Sequence, residues 1–341
     1  MMEQRKSCKV CVTGGAGYIA SALIKKLLSE GHFVHATLRD LDDHSKVDIL
    51  KSFDGADTRL KLFKADIYRA EEFEEAIRGC EFIFHVATPW LHSDGHQYEN
   101  RIDATVDSAR RIASLCVGSG TVRRLIYTAS VMAASPLKDD DGTYYKEYMD
   151  ENCWTPAHFS IPYTSDYFED YTKAKTLAER ELLSSFDNGE MEVVTLACGL
   201  VGGETLMPHT PESVKAILGL LVDDGFAYRA LKFLENLLAK VPLAHIEDIT
   251  NALVFCMNEH SMNGRFLCAN GYVSTADMAL YCQTKYPEFS IKKEHLECPN
   301  RDTKWKSVLL EKRGFEYKYD WRVVLDESIR CAKKMEMFGY K

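Results

Sequence analysis

At 341 residues, 46% hydrophobic and 27% charged, the chain has the composition of a soluble globular protein with one large domain and a smaller partner, not of a disordered or fibrous one. A net charge of −9 with no run of Lys or Arg argues against a nucleic-acid face. Eleven cysteines lie singly, without the paired CxxC…CxxC spacing of a zinc site, so free thiols and no bound metal are expected.

The opening MMEQRKSCK lacks the apolar core of a secretory signal, and no run approaches the ~20 apolar residues of a membrane span. The final MFGYK carries no lipidation or retention motif, so a cytoplasmic protein is expected. In chain order, CKVCVT (8–13) and HFVHATLR (32–39) are β-rich runs. Between them SALIKKLLSEG (21–31) has apolar residues at helical spacing and closes on a glycine. Strands are predicted again at LKLFKAD (60–66), FIFHVA (82–87), RRLIYTAS (123–130) and EVVTLAC (192–198), with helices near 70–79, 100–117 and 170–186. Apolar strands alternating with amphipathic helices imply parallel strands covered on both faces, and right-handed crossovers then predict an α/β, Rossmann-type doubly wound sheet.

Residues 137–168, acidic, aromatic and punctuated by proline, break that alternation; a loop this long in a compact domain is usually functional or mobile. Past Gly202, PESVKAILGLLVDDG (211–225) and YRALKFLENLLAK (228–240) read as helices. VPLAHIEDITNALVFCM (241–257) reads as a strand entering a helix, GRFLCAN (264–270) as a strand, and the tail from about 273 as short helices and turns. The predicted division is a dinucleotide-binding domain over 1–202, rejoined by 241–270, and a smaller mixed α/β substrate-binding region from 203–240 and 271–341. That region is expected over the carboxyl edge of the sheet, where ligands of such folds bind.

CVTGGAGYIAS (11–21) carries the first chemical signal. Gly14, Gly17 and Ala20 fit G-x-x-G-x-x-[G/A] directly between a strand and a helix. The first glycine permits the tight turn, the second admits a pyrophosphate to the backbone, and the small third residue lets the helix pack on the sheet. The phosphates would meet the free N–H groups at the helix start, around Tyr18 and Ile19. A turn with packing duties only is the plainer alternative. The second strand ends in Arg39, followed by Asp40. A guanidinium there pairs with a 2′-phosphate and Lys46 adds a second charge, so NADPH is expected, although Asp40 is placed to face a ribose.

YTKAK puts Tyr171 and Lys175 four residues apart on a predicted helix, on one face. A phenol is a poor proton donor until a nearby ammonium favours its anion, which Lys175 supplies one turn away. Ser130 closes the fifth strand and can hydrogen-bond a substrate oxygen. Glycine turn, strand-end serine and helical YxxxK, in that order, are far more specific together than any one alone.

With VTGGAGYIAS, TLRD, FKAD, GCEFIFHVATP, TVRRLIYTAS, DENCW, YTKAKTLAER, VPLAHIEDI, NGRFLCAN and KYPEF along nearly its whole length, the chain resembles the extended short-chain dehydrogenase/reductases. Within them it is similar to the plant branch of dihydroflavonol reductase, anthocyanidin reductase and cinnamoyl-CoA reductase, and GYIAS is closer to the anthocyanidin-reductase type. The resemblance implies that Ser130, Tyr171 and Lys175 are catalytic and that Arg39 and Lys46 hold the NADPH phosphate. It implies that Asp66 and Ile67 line the adenine, that Val86, Ala87 and Thr88 line the ribose and nicotinamide, and that Leu200 and Val201, in the loop LVGG (200–203), meet the carboxamide. The implied reaction is hydride transfer from NADPH to a carbonyl or conjugated carbon, with Tyr171 giving the proton.

Departures from the branch bear on the substrate. Ala129 stands where a serine is usual, Ser135 where dihydroflavonol reductases grip the substrate with asparagine, and the cinnamoyl-CoA reductase stretch KNWYCYGK is replaced by DYFEDYTKAK. Trp90, Met132, Ser135, Tyr167, Phe168, Met207 and Phe226 are pocket candidates, each equally explained as packing. The expected protein is a monomer or weak homodimer that reduces a flavonoid-type phenolic. The alternatives are a reductase of another specialised metabolite (a phenolic aldehyde, an alkaloid or a terpenoid carbonyl), an NAD-bound nucleotide-sugar epimerase or dehydratase, and a catalytically idle cofactor-sensing protein.

Overall fold

The computed structural model describes residues 7–89, 98–138, 144–186, 189–222, 224–297 and 301–338. The chain opens with β1 (Lys9–Val12), α1 (Tyr18–Ser29) and β2 (Phe33–Leu38), then α2 (His44–Lys51), α3 (Ala56–Arg59) and β3 (Leu60–Lys64). A 3₁₀ turn at Ala70–Phe73 leads into α4 (Glu74–Ile77), followed by β4 (Phe82–His85), α5 (Arg101–Gly118) and β5 (Arg124–Ser130). Next come β6 (Tyr148–Met149), α6 (Asp166–Ser185), β7 (Glu192–Cys198), β8 (Leu200–Gly202), α7 (Glu212–Ile217) and α8 (Gly225–Leu238). The chain ends with β9 (Val241–His245), α9 (Ile246–Asn258), β10 (Gly264–Cys268), β11 (Gly271–Val273), α10 (Thr275–Lys285), β12 (Lys304–Trp305), α11 (Leu309–Lys312) and α12 (Trp321–Lys334).

Seven strands form one sheet in the order β10-β7-β5-β4-β1-β2-β3. The pairs β3–β2, β2–β1, β1–β4 and β4–β5 run parallel. Succession turns one way from β1 through β2 to β3 and the other way from β4 to β5, so β1 and β4 flank a topological switch point, the usual ligand position in open α/β sheets. Val10, Cys11, Val12, Ile83, Phe84, Leu125 and Ile126 are all buried, as central strands covered on both faces require. This is the predicted Rossmann-type α/β architecture.

Contacts group the chain into two units. The first comprises 1–128, 177–196 and 250–265. Within it Arg124, 1% exposed, donates to Glu192 and to the Cys256, Met257 and Glu259 carbonyls at the end of α9, tying β5, β7 and that helix terminus together. A cation there also complements the negative end of the helix dipole.

The second unit comprises 129–176, 197–249 and 266–341. It holds a three-stranded sheet, β11-β9-β8, in which β8 runs parallel and β11 antiparallel to β9, and a two-stranded one, β12-β6. Helix α8 has an unusual end. The last four carbonyls of a helix have no partner inside it. Here each accepts from a side chain: Glu235 O from Arg301 Nη1 (2.8 Å), Asn236 O from Tyr145 Oη (2.5 Å), Leu237 O from Ser135 Oγ (2.5 Å) and Leu238 O from Tyr272 Oη (2.5 Å). Lys232 and Glu235 pair inside the same helix and share Thr275.

Local differences from the sequence reading have physical reasons. The helix expected over 211–225 stops at Ile217, two residues before Gly219, where a Cβ would lie 2.7 Å from the Ala227 carbonyl; glycine, a poor helix former, there admits the close approach of α8. Of the 200–203 stretch, expected as a loop, Leu200–Gly202 form strand β8. The 137–168 stretch contains β6, and Leu137 bridges Tyr145. In the tail, α12 runs fourteen residues, capped by Asp320 and burying Val324, Leu325, Ser328, Ile329 and Ala332 at helical spacing. Ten of the cysteines are described as free thiols, and all but Cys8 are buried. Among the described residues there is no metal-ligand cluster, and no helix is long and apolar enough to cross a membrane.

Candidate functional site

In the first unit the glycine turn is held by contacts that demand its small residues. Gly14 has φ 70°, and a Cβ there would lie 3.1 Å from Ala87 Cβ. At Gly15 a Cβ would meet Ile24 and Ala36 at 3.1 and 3.2 Å. Gly15 N donates to Thr37 O (2.8 Å) and Gly17 N to Gly14 O (2.8 Å), which closes the turn. Ala20 is fully buried, so the third small position serves packing of α1.

Gly17 is exposed and precedes α1 with no side-chain cap and no acidic residue in the first turn. Helices α5, α8, α10 and α12 bring their own caps in Asn100, Asp224, Ser274 and Asp320. The first turn of α1, at the half-buried Tyr18 and Ile19, thus opens with no side-chain cap and no carboxylate, behind a glycine with no side chain in the way, as a helix start that takes an anion requires. These residues fit a dinucleotide pyrophosphate.

Thr13 was not singled out from the sequence, yet it joins this turn to the end of β4. Its Oγ1 accepts from Val86 N (3.0 Å) and Ala87 N (2.9 Å) and lies 3.0 Å from His85 Nδ1. A hydroxyl accepts twice and donates once, so its proton goes to Nδ1 and the imidazole proton sits on Nε2. His85 is thus a buried anchor, and Thr13 sets the backbone at Val86 and Ala87, next to Thr88. Its position just before Gly14 was the only available signal.

At the end of β2, Arg39 is exposed, and among the described residues it makes no hydrogen bond or ion pair. Asp40 instead accepts the Asp42 N–H at 2.9 Å, folding its carboxylate into a local turn. Lys46 donates to Asp43 at 2.5 Å, and that bond, with a second from Ser45, holds the Asp43 carboxyl below its ordinary value. The ammonium of Lys46 therefore already has a counter-charge. After β3, Asp66 accepts the Tyr68 N–H (3.1 Å) and Ile67 is buried.

In the second unit Ser130 ends β5. Its Oγ accepts the Met132 N–H at 3.2 Å, and among the described residues no acceptor meets its own proton. That hydroxyl is polarised by one bond and keeps a donor for another oxygen. Tyr171, half-buried, and Lys175, 3% exposed, lie four residues apart on α6 and so on one face. Lys173 between them is paired with Glu169 at 2.5 Å.

The same unit holds a cluster of rings. Phe226 (48% exposed) at the start of α8 meets Tyr167 at 5.6 Å and Phe168 at 5.4 Å, and Phe168 stacks on Phe233 at 5.0 Å. Tyr167 precedes Tyr171 by one helical turn, about 6 Å along α6. Met132 is half-buried and Met207 buried. Ser135 is fully buried, its hydroxyl donating to Leu237 O and accepting from Leu137 N, so its hydrogen-bonding groups are turned into the protein. Leu200 and Val201 lie in β8, the second of them buried. Trp90 lies outside the described residues.

Comparison with known proteins gives the family. Residues 10–268 match the NAD dependent epimerase/dehydratase family. Anthocyanidin reductase from Vitis vinifera is 31% identical over 325 residues, covering 95% of this chain and 94% of that protein. A noscapine synthase from Papaver somniferum is 32% identical over 331 residues, covering 95% and 92%. The crystal structure of vestitone reductase from alfalfa, Medicago sativa, superposes with a TM-score of 0.76 at 29% identity, covering 96% of this chain and 99% of that one. Matched over residues 10–268 by this family and along nearly all its length by proteins named as reductases, this protein is an oxidoreductase of the NAD-dependent epimerase/dehydratase family, the extended short-chain dehydrogenase/reductases.

Proposed function

We propose that this protein is an NADPH-dependent reductase of a carbonyl or conjugated group on a plant specialised metabolite, most consistent with a flavonoid-type phenolic. Preference for NADPH rests on one observation: the Arg39 guanidinium at the end of β2 has no partner among the described residues, while the neighbouring Asp40 carboxylate is engaged by Asp42 N. A free guanidinium suits a 2′-phosphate, and an acid turned into its own loop does not serve a ribose. Gly14, Gly17 and the first turn of α1 would hold the pyrophosphate, with Val86, Ala87 and Thr88 beside the ribose and nicotinamide. Bound there, the cofactor supplies a hydride.

The residues of this chain do the rest. Ser130 donates its free proton to the substrate oxygen and holds it. Tyr171 gives the proton that oxygen acquires, and the Lys175 ammonium stabilises the resulting phenolate. The Tyr167, Phe168 and Phe226 rings offer faces and edges to a planar aromatic substrate, which supports a phenolic over a small aliphatic carbonyl. Similarity to a noscapine synthase keeps an alkaloid within the same reading.

The test is tryptophan quenching by NADPH and NADH, followed by NADPH consumption against a dihydroflavonol, a flavanone, an anthocyanidin and a phenolic aldehyde. Tighter NADPH binding and turnover of a phenolic are expected. Equal affinity for the two cofactors would remove the role of Arg39, and turnover of none of the four would remove the substrate class.

A further inference from the structure

We infer that Thr155, in the stretch before α6, is a positioning residue that fixes the Ser130 hydroxyl for the substrate oxygen. Thr155 is 2% exposed and makes three hydrogen bonds to the four residues 132–135: its N–H donates to Ala133 O (3.0 Å), its Oγ1 donates to Met132 O (2.5 Å), and its Oγ1 accepts from Ser135 N (3.0 Å). A carbonyl can only accept and an amide N–H can only donate, so the direction of each bond is unambiguous. Met132 is the residue whose N–H holds Ser130 Oγ. The peptide groups on either side of Met132 are thus fixed at one end by Ser130 and at the other by Thr155.

If Thr155 loses its hydroxyl, the Met132 carbonyl and the Ser135 N–H lose their partners in a buried place. The short 3₁₀ turn Val131–Ala133 then keeps only the Thr155 N–H bond to Ala133 O from that segment, which lets the Met132 peptide tilt and its N–H shift off Ser130. The Ser130 hydroxyl, no longer held by Met132 N, would lose its fixed direction toward the substrate oxygen. A donor misplaced by about 1 Å can cost on the order of 100-fold in rate. The inference rests on the reading of Ser130 as the donor to substrate, and the experiment separates the two.

Thr155→Val and Thr155→Ser are compared in the full-length protein, alone and combined with Ser130→Ala, by NADPH consumption with the phenolic carbonyls named above. Expected are a fall in kcat of about 10- to 100-fold for Thr155→Val, NADPH affinity within about 2-fold of the parent, and near-parental turnover for Thr155→Ser. In the Ser130→Ala background, Thr155→Val should cost less than about 3-fold, because residues acting through one group are not additive. Hydrogen exchange over 130–137 should rise in Thr155→Val and not in Thr155→Ser, a readout that needs no substrate. Should Thr155→Val not fold, Thr155→Ala carries the same comparison. Glu192→Gln, destabilised in the first unit, should keep its kcat and so serves as the stability control. Undiminished turnover in Ser130→Ala would sink the reading of Ser130 and this inference with it. A loss in Ser130→Ala with an additive effect of Thr155→Val, or unchanged exchange over 130–137, would sink the inference alone.

Discussion

Ser130 illustrates how a single hydroxyl is prepared. One bond from Met132 N occupies an acceptor site and leaves the proton free, which is the state a carbonyl oxygen needs from a donor. Tyr171 sits a turn from a buried lysine, and this pair carries the proton chemistry proposed here. Tyr171→Phe should bind NADPH like the parent by fluorescence titration while losing turnover by about 10²–10⁴-fold. Arg39→Ala should weaken NADPH binding by about 10–100-fold, the loss of a charged hydrogen bond of roughly 1.5–3 kcal/mol, and leave NADH nearly unchanged. A parallel loss of both cofactors would mean that Arg39 holds something other than the 2′-phosphate.

At the scale of elements, helix ends carry distinct roles in each unit. Helix α1 opens without a side-chain cap where an anion is expected, whereas α8 closes with all four terminal carbonyls met by side chains from residues 135, 145, 272 and 301. The chain leaves α8 through Ala239 at φ 69°, a left-handed turn that costs a non-glycine residue energy and is held by those caps. Ser135→Ala removes one cap and leaves Leu237 O unmet in a buried site. It should lower stability by about 1–3 kcal/mol in urea or thermal unfolding. A change below about 0.3 kcal/mol would show that the α8 terminus stands without it. The hydroxyl of Ser135, one of the pocket candidates, thus points into the helix end.

At the scale of the whole molecule, the buried Arg124 links two sheet strands and a helix terminus through Glu192, and acid should reveal it. Burial alone would raise the Glu192 carboxyl, but hydrogen bonds from Ser261 and Arg124, with Met262 N, bring it below its ordinary value. A carboxylate lowered by folding contributes stability that is present above its unfolded value and lost as pH falls through its folded one. Unfolding should therefore show Glu192→Gln less stable than the parent by about 1.5–3 kcal/mol at neutral pH, the two converging below the ordinary glutamate range. A gap undiminished at pH 3 would mean that the charge of Glu192 plays no part.

The amino-acid sequence by itself determined the alternating strands and helices, the glycine turn between β1 and α1, the helix that carries Tyr171 and Lys175, and Ser130 at a strand end. All of these are local: periodicity, small residues in a turn, and i,i+4 spacing are set by neighbours within a few residues. Helix α12, fourteen residues long, exceeds the short helices expected of the tail. Only the tertiary structure decided which groups the polar side chains meet. Ser135 bonds a carbonyl 102 residues away, Thr13 meets His85 across 72, and Thr155 closes on a turn 20 or more residues before it. A hydroxyl looks the same in sequence whether it faces substrate or a helix end, because its partner is chosen by packing of distant segments and not by local backbone preference.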